Sequence, residues 1–324
     1  MYFRKLIAGT AALALSGATL AQGYPAKAVR IIVPHPPGSV VDVPIRGAAQ
    51  IWSQEFGQPF VVDNRAGAEG IIGAEACAKA APDGYTLCGT DSLVISLNPA
   101  TRSRLPYEPR RDFTPVIQMG FLTSVVAVGP SLPVKSMEEL IALARARPGA
   151  VSWGSWGTVS LANIYIEWLR LSRGITFLNV PYKSALQSTQ ALLAGEIQVS
   201  LFGAGPAAAQ QKAGKLRVIA VNGETRSETL PEVPSFKEAG VDLPIRVWFG
   251  FFAPAGTSPD MVQRLNGVMA RALPDPQFKA KFLTSQGLEL VGTAGGTPAQ
   301  FAAFLQAERS VYENIVKVTG IRED

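Results

Sequence analysis

Short runs of Val and Ile separated by helical stretches recur along the whole chain, and this alternation limits the possible folds more than any other feature. Val29–Pro34 is followed by a helical pattern from Val41 to Phe56, and Phe60–Val62 by a helix around Ile71–Ala81. Tyr85–Gly89 follows the turn Pro82-Asp83-Gly84. Val125–Val128, Val151–Trp153, Ile175–Val180, Ile197–Leu201, Val218–Val221 and Val247–Ala253 continue the series. Continuous apolar runs of about four to eight residues belong to strands covered on both faces. With helices between them, they predict an α/β protein built on mostly parallel sheet. Two helices also mark their starts: Ser136-Met137-Glu138-Glu139 and Thr297-Pro298-Ala299-Gln300 are capping-box sequences, the second with Pro at the first helical position. They open apolar faces of Met137, Leu140, Ile141 and Ala144, and of Phe301, Phe304, Leu305 and Tyr312, which are expected to pack rather than to hold a cofactor.

A chain of 324 residues exceeds the usual single-domain range, so two domains are expected. An apolar content of 47% excludes a disordered chain, and 31 Gly and 24 Pro without a period exclude collagen and simple repeat arrays. No Ser/Gly-rich or charged run divides the sequence. Two lobes joined by more than one crossing fit this better than two beads on a linker, with crossings near Gly120–Thr123 and Pro244–Val247. The net charge of +5 is a weak pointer to nucleic acid. Removing Arg4 and Lys5 leaves 28 basic against 25 acidic residues, and the group Arg102, Arg104, Arg110 and Arg111 is diluted by Glu108 and Asp112. No nucleic-acid partner is expected.

Met1 to Gln22 carries Arg4 and Lys5 before an apolar stretch, Leu6 to Leu15, and then small residues ending in Thr19-Leu20-Ala21. That is the order of a secretory signal peptide, so residues 1–21 are expected to be cleaved after Ala21. The stretch is short of the roughly 20 strongly apolar residues of a membrane span. With no Cys in the cleavage region, a lipid anchor at the new N-terminus is not expected. Cys77 falls in a helical stretch and Cys88 in the strand after it. Export permits a bridge between them, yet spacing alone does not establish the geometry, and two separately buried thiols are the simpler expectation.

Catalytic patterns are missing. The lone histidine, His35, lies in Val33-Pro34-His35-Pro36-Pro37-Gly38 and cannot by itself supply a zinc site. Gly154-Ser155-Trp156-Gly157 is not a nucleophile elbow, because Trp153 holds the first glycine position. Gly203-Ala204-Gly205 lacks the third glycine of a dinucleotide loop. No metal and no cofactor are expected. The chain does carry Gly, Ser and Thr after strands and before helices: Gly38-Ser39-Val40, Gly89-Thr90-Asp91-Ser92, Gly154-Ser155-Trp156-Gly157-Thr158 and Phe202-Gly203-Ala204. In open α/β sheets this is where ligands bind, and the unpaired N–H groups at a helix start suit an anion. One such loop is ordinary turn chemistry; four in an exported chain point to binding.

The sequence resembles the Bug-type, or tripartite tricarboxylate transporter, periplasmic solute-binding receptors. The resemblance rests on Tyr24-Pro25, Arg30 to Gly38 with Asp42, Gly57-Gln58-Pro59, Val62-Asp63-Asn64-Arg65, Ala81 to Leu87, Asn98-Pro99, Asp112 to Val116, Val180-Pro181-Tyr182-Lys183, Ala213 to Arg217 and Phe252 to Thr257, in order along the mature chain. It implies a two-lobed periplasmic binding fold of type II-like architecture, each lobe a mostly parallel sheet flanked by helices. The expected division is 22–122 with 247–324 in lobe I and 123–246 in lobe II. It further implies a monomer in the periplasm that captures a small organic carboxylate with main-chain N–H groups and hands it to the permease subunits of a tripartite tricarboxylate transporter. The contacts carried over are Gly38, Ser39, Val40, Ser92, Ser155, Trp156, Thr158 and Gly203, with Lys183 a lobe-positioning residue. The chain departs from the family where His35 replaces the usual Phe and Ser39, Val40 and Val41 make the first loop bulkier. With Trp156 and Trp248 expected near the cleft, a ligand with an acid end and an apolar or aromatic body is anticipated. The competing readings are an exported hydrolase using Ser155 and His35, and a sensory receptor without a dedicated permease.

Overall fold

The computed structural model describes residues 23–241, 243 and 245–323; the expected signal peptide with its cleavage after Ala21, and Pro244 of the second crossing, lie outside the described residues. The elements follow in the order β1 (Val29–Val33), α1 (Asp42–Phe56), β2 (Phe60–Asn64), α2 (Ile71–Ala78), β3 (Thr86–Asp91), β4 (Phe113–Leu122) and β5 (Ser124–Val128). Then come α3 (Met137–Ala146), β6 (Ser152–Ser155), α4 (Leu161–Arg173), β7 (Leu178–Pro181), α5 (Ala185–Ala194), β8 (Val199–Gly203), α6 (Ala204–Lys212) and β9 (Arg217–Val221). The chain ends with β10 (Val247–Pro254), α7 (Pro259–Ala272), β11 (Leu288–Glu289) and α8 (Pro298–Thr319).

The strands form two sheets, ordered β11-β4-β10-β3-β1-β2 and β7-β6-β8-β5-β9. Both are mixed rather than mostly parallel. β1 runs parallel to β2 and β3, and β6 to β7 and β8. β10 is antiparallel to β3 and β4, β11 to β4, and β5 to β8 and β9. The expectation failed on orientation because a strand covered on both faces is continuously apolar whichever way its neighbours run. Only Thr123 separates β4 from β5, so the chain leaves one sheet and enters the other without a helix to reverse it. Thr123 is pinned on both sides: its N–H donates to Gly287 O at 2.8 Å and its carbonyl accepts from Ala204 N at 2.8 Å.

β4 was not among the apolar runs read from the sequence, because Pro115, Gln118 and Gly120 interrupt it. It is nevertheless buried along most of its length and pairs with all of β10 through two register shifts, at Phe249/Gly250 and Phe251/Phe252. Pro115 faces Phe252 at the second shift, where a missing N–H is tolerated. The Thr297 capping box forms completely, and α8 buries Phe301 and Tyr312 as its spacing requires. At α3 half the box forms: Ser136 Oγ accepts from Glu139 N at 3.1 Å, while the Glu139 carboxylate takes Lys135 N instead.

Cys77 and Cys88 are joined in a disulfide, with Cα atoms 6.1 Å apart. The simpler expectation of two separate thiols is thus corrected. α2 packs across β1 and β3, which brings position 77 over position 88. Trp248 also departs from expectation: it is fully buried, edge-on to Phe301 and Phe304, and so belongs to the core under α8 rather than to a cleft.

Candidate functional site

The first loop runs from the end of β1 into α1 and is organised by Asp42. This buried carboxylate accepts from Gly38 N at 2.8 Å, Arg46 Nε at 2.7 Å and Asn64 Nδ2 at 2.8 Å. Burial alone would raise its pKa; the donors from Arg46, Asn64 and Gly38 outweigh that and hold it below the usual value. Asn64 Nδ2 also reaches His35 O at 3.0 Å, so β2 fixes both ends of the loop. Gly38 has φ +76°, and a Cβ there would meet nothing within 4 Å. Glycine is therefore required by backbone conformation, and the space beside it stays open. Ser39 turns inward: its Oγ accepts from Asp42 N at 3.2 Å, and its N–H donates to Pro36 O at 3.3 Å. Val40 is 40% exposed. The N–H groups of Val40 and Val41 have no hydrogen-bond partner among the described residues.

The second loop, from β6 into α4, is held by a relay of amides that the sequence did not single out. Thr158 O can only accept, so Asn163 presents Nδ2 to it, at 2.7 Å. Asn163 Oδ1 then accepts from Asn179 Nδ2 at 2.7 Å, which turns Asn179 Oδ1 towards Ser155 Oγ at 2.6 Å. The direction of the whole chain is forced, and the Ser155 hydroxyl hydrogen is spent on Asn179. Ser160 caps the helix: Oγ accepts from Asn163 N and from Trp156 N, both at 3.3 Å. Gly157 has φ +116° with open space beside it, matching Gly38. The N–H groups of Gly157 and Thr158 are without partners among the described residues, and both residues are exposed. Trp156 is half-buried and packs against the edge of the core.

The other two loops are different. Ser92 closes β3 and is fully buried, its Oγ without a hydrogen-bond partner. Gly203 starts α6, but a Cβ there would approach Gln286 O to 3.1 Å, and one at Gly205 would approach Thr284 O to 2.8 Å. The segment 284–287 covers this helix start, and glycine is needed for close approach. Lys183 is exposed at the start of α5, its amide N–H on Gln187 Oε1 at 3.0 Å. A groove of about 410 Å³ beside Ser96, Phe113 and Arg309 contains none of the eight expected contacts.

His35 places Nε2 3.3 Å from Asp91 Oδ2, while Asp91 Oδ1 accepts from Val94 N at 3.2 Å. The imidazole faces Asp91 and the Ser155 hydroxyl faces Asn179, so the nucleophile–base pair of the hydrolase reading is not formed. Among the described residues no group of His, Cys, Asp and Glu could hold a metal ion, and no helix is long and apolar enough to cross a membrane.

Two mixed α/β sheets joined by a direct strand crossing at Thr123, with glycine-shaped loops presenting unpaired N–H groups, define a solute-binding protein of the periplasmic type. The model of the tripartite tricarboxylate transporter family receptor matches residues 45–321. BugT of Bordetella pertussis is 32% identical over 304 residues, 93% of this chain and 92% of that protein. A solved structure described as a periplasmic transporter has a TM-score of 0.81 at 37% identity, over 93% of this chain and 100% of its own. The R. palustris protein Rpa4515, solved with adipate, has a TM-score of 0.82 at 31% identity, over 92% of this chain and 99% of its own. The chain belongs to the tripartite tricarboxylate transporter receptor family, the Bug-type periplasmic solute-binding receptors.

Proposed function

We propose that the protein captures a small organic carboxylate between two lobes, 22–122 with 247–324 and 123–246, and hands it to the permease subunits of a tripartite tricarboxylate transporter. The observation that carries this is the pair of open glycine loops, whose N–H groups at Val40, Val41, Gly157 and Thr158 lack partners. Amides at a helix start carry partial positive charge and satisfy a carboxylate without a cationic side chain. Hydrogen bonds to a charged group contribute about 1.5–3 kcal/mol each, so three or four of them together with modest apolar burial reach the roughly 8 kcal/mol of a micromolar site. The adipate bound by the R. palustris relative has an acid group at each end of an apolar body, the ligand shape that half-buried Trp156 suits here.

Export through the N-terminal segment delivers the receptor to the periplasm, where it acts as a monomer and needs no cofactor. Of the eight contacts expected, Gly38, Val40, Trp156 and Thr158 line the two open loops. Ser39 and Ser155 act mainly by shaping those loops, Ser92 supplies a buried hydroxyl at the end of β3, and Gly203 seats the 284–287 segment. Isothermal titration with adipate, citrate and benzoate tests the reading: a micromolar Kd for at least one acid is expected, and silence with all three overturns it.

A further inference from the structure

His35 and Asp91 form the one ion pair recorded between the first loop and the end of β3, among the described residues. Asp91 is 3% exposed and the imidazole 19% exposed, so the pair sits at the inner edge of the loop rather than on open surface. Nε2 is buried 3.3 Å from Asp91 Oδ2, an ion-pair contact without hydrogen-bond geometry. The other ring nitrogen, Nδ1, makes no hydrogen bond to the described residues and is not among the buried unpartnered atoms, so it reaches solvent. Three residues further on, Gly38 leaves open space beside the unpaired amides of Val40 and Val41.

We infer that protonated His35, anchored through Nε2 by Asp91, is a side-chain cation of the ligand site and gives its second ring N–H to the acid group of the ligand. This rests on the receptor reading above and adds a specificity-determining residue to a site otherwise made of main-chain dipoles. An imidazolium has two N–H donors, and a neutral ring has one. With Asp91 holding one nitrogen, only the protonated ring has a donor left for the ligand.

The charged surroundings favour that form. Burial alone would lower the His35 pKa; the attraction of Asp91 and the field of Asp42 outweigh it and raise the value above that of free histidine. Arg46 is ion-paired with Asp42 and donates to Asn64 Oδ1. The phenols that bear on Asp91, Tyr107 and Tyr312, are both pushed up by burial and stay neutral throughout the working range. Capture is therefore strongest below the raised His35 pKa of the free protein and weakens as pH rises through it.

His35 is the only histidine of the chain, so its ring signals are unambiguous in a ¹H–¹⁵N spectrum. In wild-type protein, saturating adipate (or citrate or benzoate, whichever binds) is expected to raise the His35 titration midpoint. By linkage, the acid then binds about 3- to 10-fold more tightly near pH 6 than near pH 9. His35→Phe is expected to bind more weakly than wild type near pH 6, showing at both pH values the affinity that wild type shows near pH 9. An acid that binds with equal pH dependence in both, and leaves the ring signals unmoved, overturns the inference and leaves the receptor reading intact. Absence of binding by all three acids at both pH values removes both.

Discussion

Trp248 gives its indole N–H to Glu308 Oε1 at 2.5 Å, and Ser96 gives its hydroxyl to Oε2 at 2.8 Å, with no cation paired to the carboxylate among the described residues. Burial pushes the Glu308 pKa up to about 8, although both donors pull it down. A folded-state value above the unfolded one means that stability is fully present at acid pH and is lost as pH rises from about 4.5 through about 8. Glu308→Gln should flatten that slope. The amide keeps an oxygen for Trp248 and offers its nitrogen to Ser96, so thermal unfolding near pH 9 should show the variant more stable by a few kcal/mol. Equal melting temperatures for the two proteins at that pH would contradict this.

The disulfide ties α2 to β3 across 11 residues of sequence. Closing so short a loop removes little entropy from the unfolded chain, so about 2–3 kcal/mol of stabilisation is expected. Reduction, or Cys77→Ser with Cys88→Ser, should lower the melting temperature by about 5 °C or more without changing the far-ultraviolet spectrum. A melting curve indifferent to reductant would show that the bridge adds nothing.

What the sequence carried and what it hid divide along physical lines. β1, α1 and α8 were legible because local patterns fix them: a Val/Ile run, a 3.6-residue period and a capping box. β4 was hidden because Pro115 and Gly120 break its pattern, and only pairing with β10 across more than 120 residues of chain restores it. The glycines of the two open loops were legible, since a positive φ leaves little choice of residue. The side chains that hold those loops were not. Asn64 stood in a family segment without a role, and Asn163 and Asn179 look like any surface amide until the fold brings them beside Thr158 and Ser155. His35 was noticed as the lone histidine, but its partner Asp91 lies 56 positions away and no spacing rule links them.

Asp42 holds Gly38, Arg46 and Asn64 at once, so Asp42→Ala should leave the Gly38 N–H, one N–H of the Asn64 amide and Arg46 Nε without an acceptor. The expected cost is about 2–4 kcal/mol of stability, with loss of carboxylate binding as the first loop rearranges. Because its folded pKa is lowered, the Asp42 contribution is present above the ordinary aspartate value and is lost as pH falls through the depressed one. The variant should therefore melt with a shallower acid dependence than wild type. A binding constant within twofold of wild type would show that the loop does not depend on this carboxylate.

The amide relay of the second loop makes the sharpest prediction, because its direction is forced from Thr158 O through Asn163 and Asn179 to Ser155. Asn179→Ala removes the acceptor of Ser155 and the donor to Asn163 together, and each part-buried bond lost costs about 0.5–1.5 kcal/mol. Asn179→Asp is the more discriminating change. Its carboxylate still accepts from Ser155 but has no N–H for Asn163, so two oxygens face each other wherever Asn163 turns. If Asn163 keeps its bond to Thr158 O, its Oδ1 meets the new carboxylate; if it flips, Oδ1 meets the Thr158 carbonyl. Carboxylate affinity should therefore fall by about tenfold or more in Asn179→Asp, and less in Ser155→Ala, which loses a single bond and leaves Asn163 seated. Calorimetry alongside melting curves separates loss of the loop from loss of the fold. An affinity lower in Ser155→Ala than in Asn179→Asp would mean that the Ser155 hydroxyl serves the ligand directly instead of Asn179.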